Sequence, residues 1–143
     1  AVQKAVEIGG TKIIPVITER TIKTGLNIER LNKIILEACE QSGRNITPIL
    51  SPIMDFEDAL EDGKNNEEKI IFHFVEKSYS PSTSSGSSPH KNIGIFVGPE
   101  GGFTENEISQ AKEMGYSPAS LGEFTLRGET AAIVATYRAV NAI

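Results

Sequence analysis

Apolar residues recur along the chain with two different periods. Ile93-Gly94-Ile95-Phe96-Val97 is a continuous apolar run of strand length and predicts a buried strand. Lys69 to Val75 predicts a second, containing Phe72-His73-Phe74. Shorter strands are expected over Lys12 to Ile17, where Pro15 is tolerated because the strand is short or near an edge, and over Ile46 to Ile49 and roughly Tyr116 to Leu121. Helical spacing appears at Ile28, Leu31, Ile34, Ile35 and Ala38, which predicts a helix from an Asn27 cap to about Gln41, ended by Gly43. Residues 1 to 8 read as the end of a helix closed by Gly9-Gly10, and Pro52 to Glu61 as a short acidic helix. Glu129 to Val140 is apolar on several faces and predicts a buried helix. The expected class is α/β, with a parallel sheet and helices on both faces.

Two loops interrupt this pattern. Gly98-Pro99-Glu100-Gly101-Gly102-Phe103-Thr104 follows the apolar strand and leads into a helix start. Thr104 and Glu107 have capping-box spacing, and Phe103 and Ile108 stand where a hydrophobic staple would place them. The glycines let backbone groups approach a ligand, and Pro99 stiffens the turn. Ligands of open α/β sheets bind at the carboxyl ends of strands, where this turn would sit. The second loop, Leu121-Gly122-Glu123-Phe124-Thr125-Leu126-Arg127-Gly128-Glu129-Thr130-Ala131, also runs from a strand into a helix. Neither loop has the lysine of a P-loop or the G-x-G-x-x-G spacing of a dinucleotide site. A bare βα turn explains either loop alone, whereas two glycine-bearing loops from successive βα units can close on one small molecule.

The blocks Gly98-Pro99-Glu100-Gly101-Gly102-Phe103-Thr104, Leu121-Gly122 and Leu126-Arg127-Gly128-Glu129-Thr130-Ala131 resemble the RsmE family. Lys4-Ala5-Val6-Glu7-Ile8-Gly9-Gly10, Ile14-Pro15-Val16, Thr18-Glu19-Arg20 and Glu37-Ala38-Cys39-Glu40-Gln41-Ser42-Gly43-Arg44 match in the same order, so the resemblance spans nearly the whole chain. It implies an α/β-knot (SPOUT) methyltransferase domain over 1–143, with a carboxyl-terminal trefoil knot, an exception to the usual unknotted topology. It implies S-adenosyl-L-methionine as cofactor, small-subunit (16S) ribosomal RNA as partner, methylation at the N-3 ring nitrogen of a uridine, no metal, and a homodimer. It also implies that the chain starts inside the first helix of the catalytic domain, lacking that domain's first strand and the amino-terminal PUA-like barrel.

The resemblance assigns roles to residues. Phe74 and the backbone of Val97, Gly98, Gly102, Leu121, Gly122 and Leu126, with Thr130 at the helix start, would bind the cofactor. Arg127 is the candidate for stabilising negative charge on the uracil or for positioning a phosphate, with Glu129 orienting it. Glu100 is a candidate base or dimer contact. Gln41 and Arg44 would line an RNA site. Glu19 and Arg20 are equally a surface ion pair or an RNA contact. Gly128 stands where the family usually carries threonine or serine, so a hydroxyl is missing there.

Composition adds limits. At 143 residues the chain is one domain able to bury a core, with 38% apolar and 23% charged residues. No apolar run is long enough to span a membrane, and residues 1 to 10 are not a signal peptide. The one cysteine, Cys39, excludes an internal disulfide, suits a reducing cytoplasm, and falls near the apolar helix face, where packing is expected. Net charge is −5, unusual for an RNA binder. Residues 1 to 44 carry seven Lys/Arg against five Asp/Glu, while the rest carries seven against fourteen. Half of those fourteen lie between Asp55 and Glu68, a solvated face. Lys77 to Lys91 is serine-rich and reads as a flexible insertion. His73, alternating with two aromatics, reads first as a structural histidine. Two rival functions stand beside methyl transfer: a nucleotide- or phosphate-binding α/β domain, and a non-catalytic dimeric RNA-binding remnant.

Overall fold

A computed structural model of the chain describes residues 1–22, 25–74 and 91–141. The serine-rich stretch therefore lies, apart from Lys91, outside the described residues, as does Val75 at the end of one expected strand.

A three-stranded parallel sheet holds the centre. β5 (Glu68–Phe72) lies between β6 (Ile93–Val97) and β7 (Ser117–Ala119). Side chains alternate across a strand, and the packing follows that alternation. Ile70 and Phe72 of β5, with Ile93, Ile95 and Val97 of β6, pack toward Ala135 of α5 (Gly128–Asn141). Ile71 and Phe96 face the other way, into a cluster with Phe56 and Leu60 of α3 (Phe56–Asp62) and Ile108 and Ala111 of α4 (Glu105–Glu113). Helices thus cover both faces of this sheet. Phe96 meets Phe56 and Tyr116 edge-on, with ring centroids 5.5 and 5.2 Å away.

The expected strand over Lys12 to Ile17 is two pieces, β1 (Lys12–Ile13) and β2 (Val16–Ile17). Their partners are β3 (Ile49–Leu50) and β4 (Met54–Asp55), both parallel. Lys12 pairs with Ile49, but Val16 pairs with Met54, so the second chain gains one residue between the ladders. The break falls at Pro15 and Pro52, which have no N–H to give a ladder. Met54 N–H donates to the Pro15 carbonyl at 3.0 Å and resumes the pairing. The same break displaces two expectations. The strand expected over Ile46 to Ile49 sits at Ile49–Leu50, and the acidic helix begins at Phe56 rather than Pro52. All ladders are parallel, but they form separate sheets instead of the single sheet expected.

α1 (Val2–Ile8) and α2 (Ile28–Ser42) bury Val6, Ile35, Ala38 and Cys39 against Ile13 and Leu50. Asn27 Oδ1 accepts from Arg30 N–H at 3.0 Å and starts α2, and Gly43, at φ 71°, ends it. Cys39 is buried, as expected for packing. α5 departs from expectation. Only Ala135 and Ala139 are buried, while Tyr137 and Val140 are 49% and 48% exposed. One flank of this apolar helix has no cover among the described residues. Among the described residues no helix is long and apolar enough to cross a membrane.

Candidate functional site

The three central strands end level. Phe72 is in register with Val97 on one side and Ala119 on the other, and His73 N–H donates to the Ala119 carbonyl at 2.9 Å. With strands about 4.8 Å apart, Val97 and Ala119 lie about 10 Å from each other across β5. Phe74, Gly98 and Leu121 therefore leave the sheet from one edge. Leu121 turns back onto the α5-side cluster, half-buried beside Val97.

The first loop is held in shape along its length. Gly102 N–H donates to the Pro99 carbonyl at 2.8 Å, and Gly102 has φ 72°, which an L side chain rarely adopts. Phe103 is buried and its ring lies over Gly98, where a Cβ would come within 3.1 Å of it. Gly98 is thus fixed by a close approach from its own loop. The capping box forms as expected: Thr104 Oγ1 accepts from Glu107 N–H at 3.2 Å, and Glu107 Oε2 accepts from Thr104 N–H at 3.1 Å. Phe103 and Ile108 join one core cluster, completing the staple.

The second loop meets the first at its far end. The carbonyl oxygen of Gly98 lies 3.7 Å from where a Cβ of Gly128 would stand, so the start of α5 abuts the end of β6. Ala131 N–H donates to the Arg127 carbonyl at 2.8 Å, which makes Arg127 the residue preceding the helix. Buried Ser120 shapes the loop's beginning, donating from Oγ to the Gly122 carbonyl at 2.8 Å and accepting Gly122 N–H at 3.3 Å. The Ser-x-Gly spacing is the local signal for this turn.

Val97, Gly98, Leu121 and the first turn of α5, with Thr130, are thus brought to one edge. Gly102 and Gly122 face open space there, with no atom within 4 Å of a Cβ on either. Leu126 is half-buried; Gly122, Arg127, Glu129 and Thr130 are exposed, as are Phe74 and Phe124, at 69% and 81%. The Arg127 guanidinium has no hydrogen-bond or ion-pair partner among the described residues. Glu129 therefore does not hold it by an ion pair: residues two apart at a helix start point to different sides. Nor does the Thr130 hydroxyl act as a cap, since Arg127 occupies the cap position.

Of the upstream candidates, Arg20 reaches the first loop, whereas Arg44 lies at the other end of α5. Arg20 makes no ion pair with Glu19. Its Nη1 donates to the Gly101 carbonyl at 2.7 Å and lies 3.5 Å from that of Phe103. Arg44 Nη1 donates to the carbonyls of Val6 and Gly10, at 2.8 and 2.7 Å, closing the end of α1. A Cβ on neighbouring Gly9 would touch Val140, which places this cap at the carboxyl end of α5. The loops are at the other end, about 18 Å along the helix axis. Gln41 is exposed on the last turn of α2, beside Arg44 in sequence. The acidic segment is a solvated face as expected: Asp55 and Glu57 line an open depression between β2 and α4 together with Glu19 and Gln110. Among the described residues no group of acids, histidines and cysteine is placed to hold a metal ion.

A family model described as RNA methyltransferase domain matches residues 1–140. The ribosomal RNA small subunit methyltransferase E of Rickettsia conorii is 41% identical over 94% of this chain and 55% of its own length. The protein of that name from Mesomycoplasma hyopneumoniae is 36% identical over 93% of this chain and 59% of its own. Among solved structures, the Neisseria gonorrhoeae ribosomal RNA small subunit methyltransferase E, bound to S-adenosyl methionine, is similar with a TM-score of 0.81 and 37% identity. That match covers 97% of this chain and 59% of the other. The chain thus spans a little over half the length of these relatives. With residues 1–140 matched and two glycine-bearing loops gathered at one sheet edge, the chain belongs to the RNA methyltransferase domain family.

Proposed function

We propose that this chain is the cofactor-binding, catalytic part of a ribosomal RNA methyltransferase that modifies the N-3 nitrogen of a uridine in 16S RNA. The observation that carries the reading is the contact of Gly98 with Gly128, which puts both loops at the carboxyl edge of β5, β6 and β7. The edge fits S-adenosylmethionine. Open space over Gly102 and Gly122 admits a ligand against bare backbone, and Val97, Leu121 and Leu126 offer half-buried apolar surface. Backbone groups of Val97, Gly98, Gly102, Leu121, Gly122 and Leu126 hold its polar edges, and the exposed Phe74 ring and Thr130 border the site. When bound, the cofactor supplies an electrophilic methyl group on a sulfonium.

The protein's share of the chemistry is alignment and charge. A uracil ring nitrogen between two carbonyls is a poor nucleophile until its proton leaves. The guanidinium of Arg127, unpaired among the described residues and at the start of α5, stabilises the negative charge then shared by the uracil oxygens. Glu129, two residues on and exposed, is the second catalytic candidate, and exposed Glu100 in the first loop is the candidate base. No metal is needed. The domain reads as an α/β-knot working as a homodimer in the cytoplasm. The half-exposed Tyr137 and Val140 of α5 supply apolar surface for a second copy. Gln41 and Arg44 remain the proposed RNA-side residues of the family reading, although Arg44 Nη1 is already occupied; Arg20 Nη1 is taken by the Gly101 carbonyl of the first loop.

Transfer of labelled methyl groups to unmethylated small subunits tests the proposal. The wild-type chain is expected to label the RNA at one uridine, and Arg127→Ala to slow transfer about 100-fold. Labelling at full rate by that variant would remove Arg127 from the chemistry, and calorimetric binding of ATP in preference to S-adenosylmethionine would favour the nucleotide-binding alternative.

A further inference from the structure

We infer that Arg20 is a positioning residue that fixes the Gly101–Gly102 peptide plane in the orientation the cofactor site requires. The inference rests on the methyltransferase reading above for what the loop binds, and on this chain's own hydrogen bonds for the rest.

One peptide unit contributes the Gly101 carbonyl and the Gly102 N–H. The carbonyl accepts from Arg20 Nη1 at 2.7 Å, and the N–H donates to the Pro99 carbonyl at 2.8 Å. The plane is therefore held at both ends. It needs to be, because two consecutive glycines place no Cβ in the way of a peptide flip. A flip would exchange the positions of the N–H and the carbonyl, break both bonds and re-aim the backbone that borders the open space at Gly102. That space has no protein atom within 4 Å of a Cβ and is where a ligand meets backbone.

Arg20 is itself anchored for the task. It sits inside a turn closed by Thr21 N–H on the Thr18 carbonyl at 3.1 Å and by Thr18 N–H on Thr21 Oγ1 at 2.9 Å. The N–H of Glu19 donates to Glu107 Oε1 at 2.7 Å. Glu107 is 2% exposed, and its other oxygen caps the helix that begins where the glycine loop ends. One buried carboxylate thus ties the Arg20 turn to the base of the loop that Arg20 grips. The aliphatic stem of Arg20 lies along Gly101, where a Cβ would come within 3.3 Å of Arg20 Cβ and Cδ. A phosphate-seeking arginine at the surface would not need this framework.

The test uses Arg20→Met, which keeps the stem and removes the donor, and Arg20→Lys, which restores a donor. In the cofactor-free chain, solvent exchange of the Gly102 amide proton, followed by NMR, is expected to quicken about fivefold in Arg20→Met. The core amide of Ile71 should be unchanged. By calorimetry, S-adenosylmethionine should bind Arg20→Met about fivefold more weakly than wild type, with much of the loss recovered in Arg20→Lys and RNA affinity held. An unaltered Gly102 exchange rate would overturn the inference. So would a loss confined to RNA affinity, which would make Arg20 an RNA contact. A wild-type chain that binds no S-adenosylmethionine would instead defeat the proposed function, while the exchange rates would still decide whether Arg20 holds the plane.

Discussion

The carbonyl oxygen of Gly98 faces Gly128 across the junction of the two loops, 3.7 Å from the position of an added Cβ. That spacing is ordinary van der Waals contact, and Gly128 is not among the glycines with positive φ. The junction therefore does not require glycine at 128, and the hydroxyl that the family usually carries there fits. Gly128→Ser is expected to fold normally and to gain about 0.5 kcal/mol from the lower entropy of its unfolded chain. Urea denaturation measures this. A loss of more than about 1 kcal/mol would mean the two loops pack more tightly than this contact implies.

Glu107 carries more of the architecture than a helix cap does. Its two oxygens accept N–H groups from Glu19 and Thr104, residues from opposite ends of the fold's sequence. Glu107→Ala leaves both donors without their acceptor in a buried place. Stability should fall by about 3 kcal/mol, against about 1 kcal/mol for an ordinary cap. Glu107→Gln, which keeps one carbonyl acceptor, should recover part of the loss. Equal stability of Glu107→Ala and wild type in denaturant titration would show that solvent satisfies these groups.

Much of this arrangement is legible in the residues, and the failures have specific causes. The run Ile93 to Val97 is β6 at both ends, because a continuous apolar strand bounded by asparagine and glycine leaves no choice. Thr104, Glu107, Phe103 and Ile108 announce the start of α4, since capping is local chemistry within five residues. Asn27 and Gly43 likewise bracket α2. Pro15 reads correctly as an edge feature but conceals a one-residue slip, because register depends on the partner strand and not on the strand itself. The apolar surround of α5 predicts burial on all sides, whereas the described residues cover only the Ala135 and Ala139 side. The bond from Arg20 to Gly101 spans 81 residues and follows from no periodicity. The same is true of Arg44, whose bonds to Val6 and Gly10 reach back across 38 and 34 residues.

Tyr116 makes the fold sensitive to alkali. Burial, and then the negative charge of Asp62, push its phenol above the ordinary value of 10.0. Its hydroxyl donates to the Leu60 carbonyl at 3.3 Å. The folded state thus favours the neutral phenol, while the unfolded state releases the proton at its ordinary value. The resulting stabilisation is complete below about pH 10 and is lost as pH climbs from there through the folded-state value. Unfolding free energies measured between pH 9 and 11 should fall more steeply for wild type than for Tyr116→Phe. Parallel curves would contradict this placement of the ring.

Mapping S-adenosylmethionine onto the chain by amide chemical shifts tests the central claim most directly. The account predicts saturable shifts at Val97, Gly98, Gly102, Leu121, Gly122 and Leu126, the backbone that leaves the carboxyl edge of the central sheet. Shifts confined to the acidic depression near Asp55 and Glu57, or none at concentrations that saturate related methyltransferases, would contradict it.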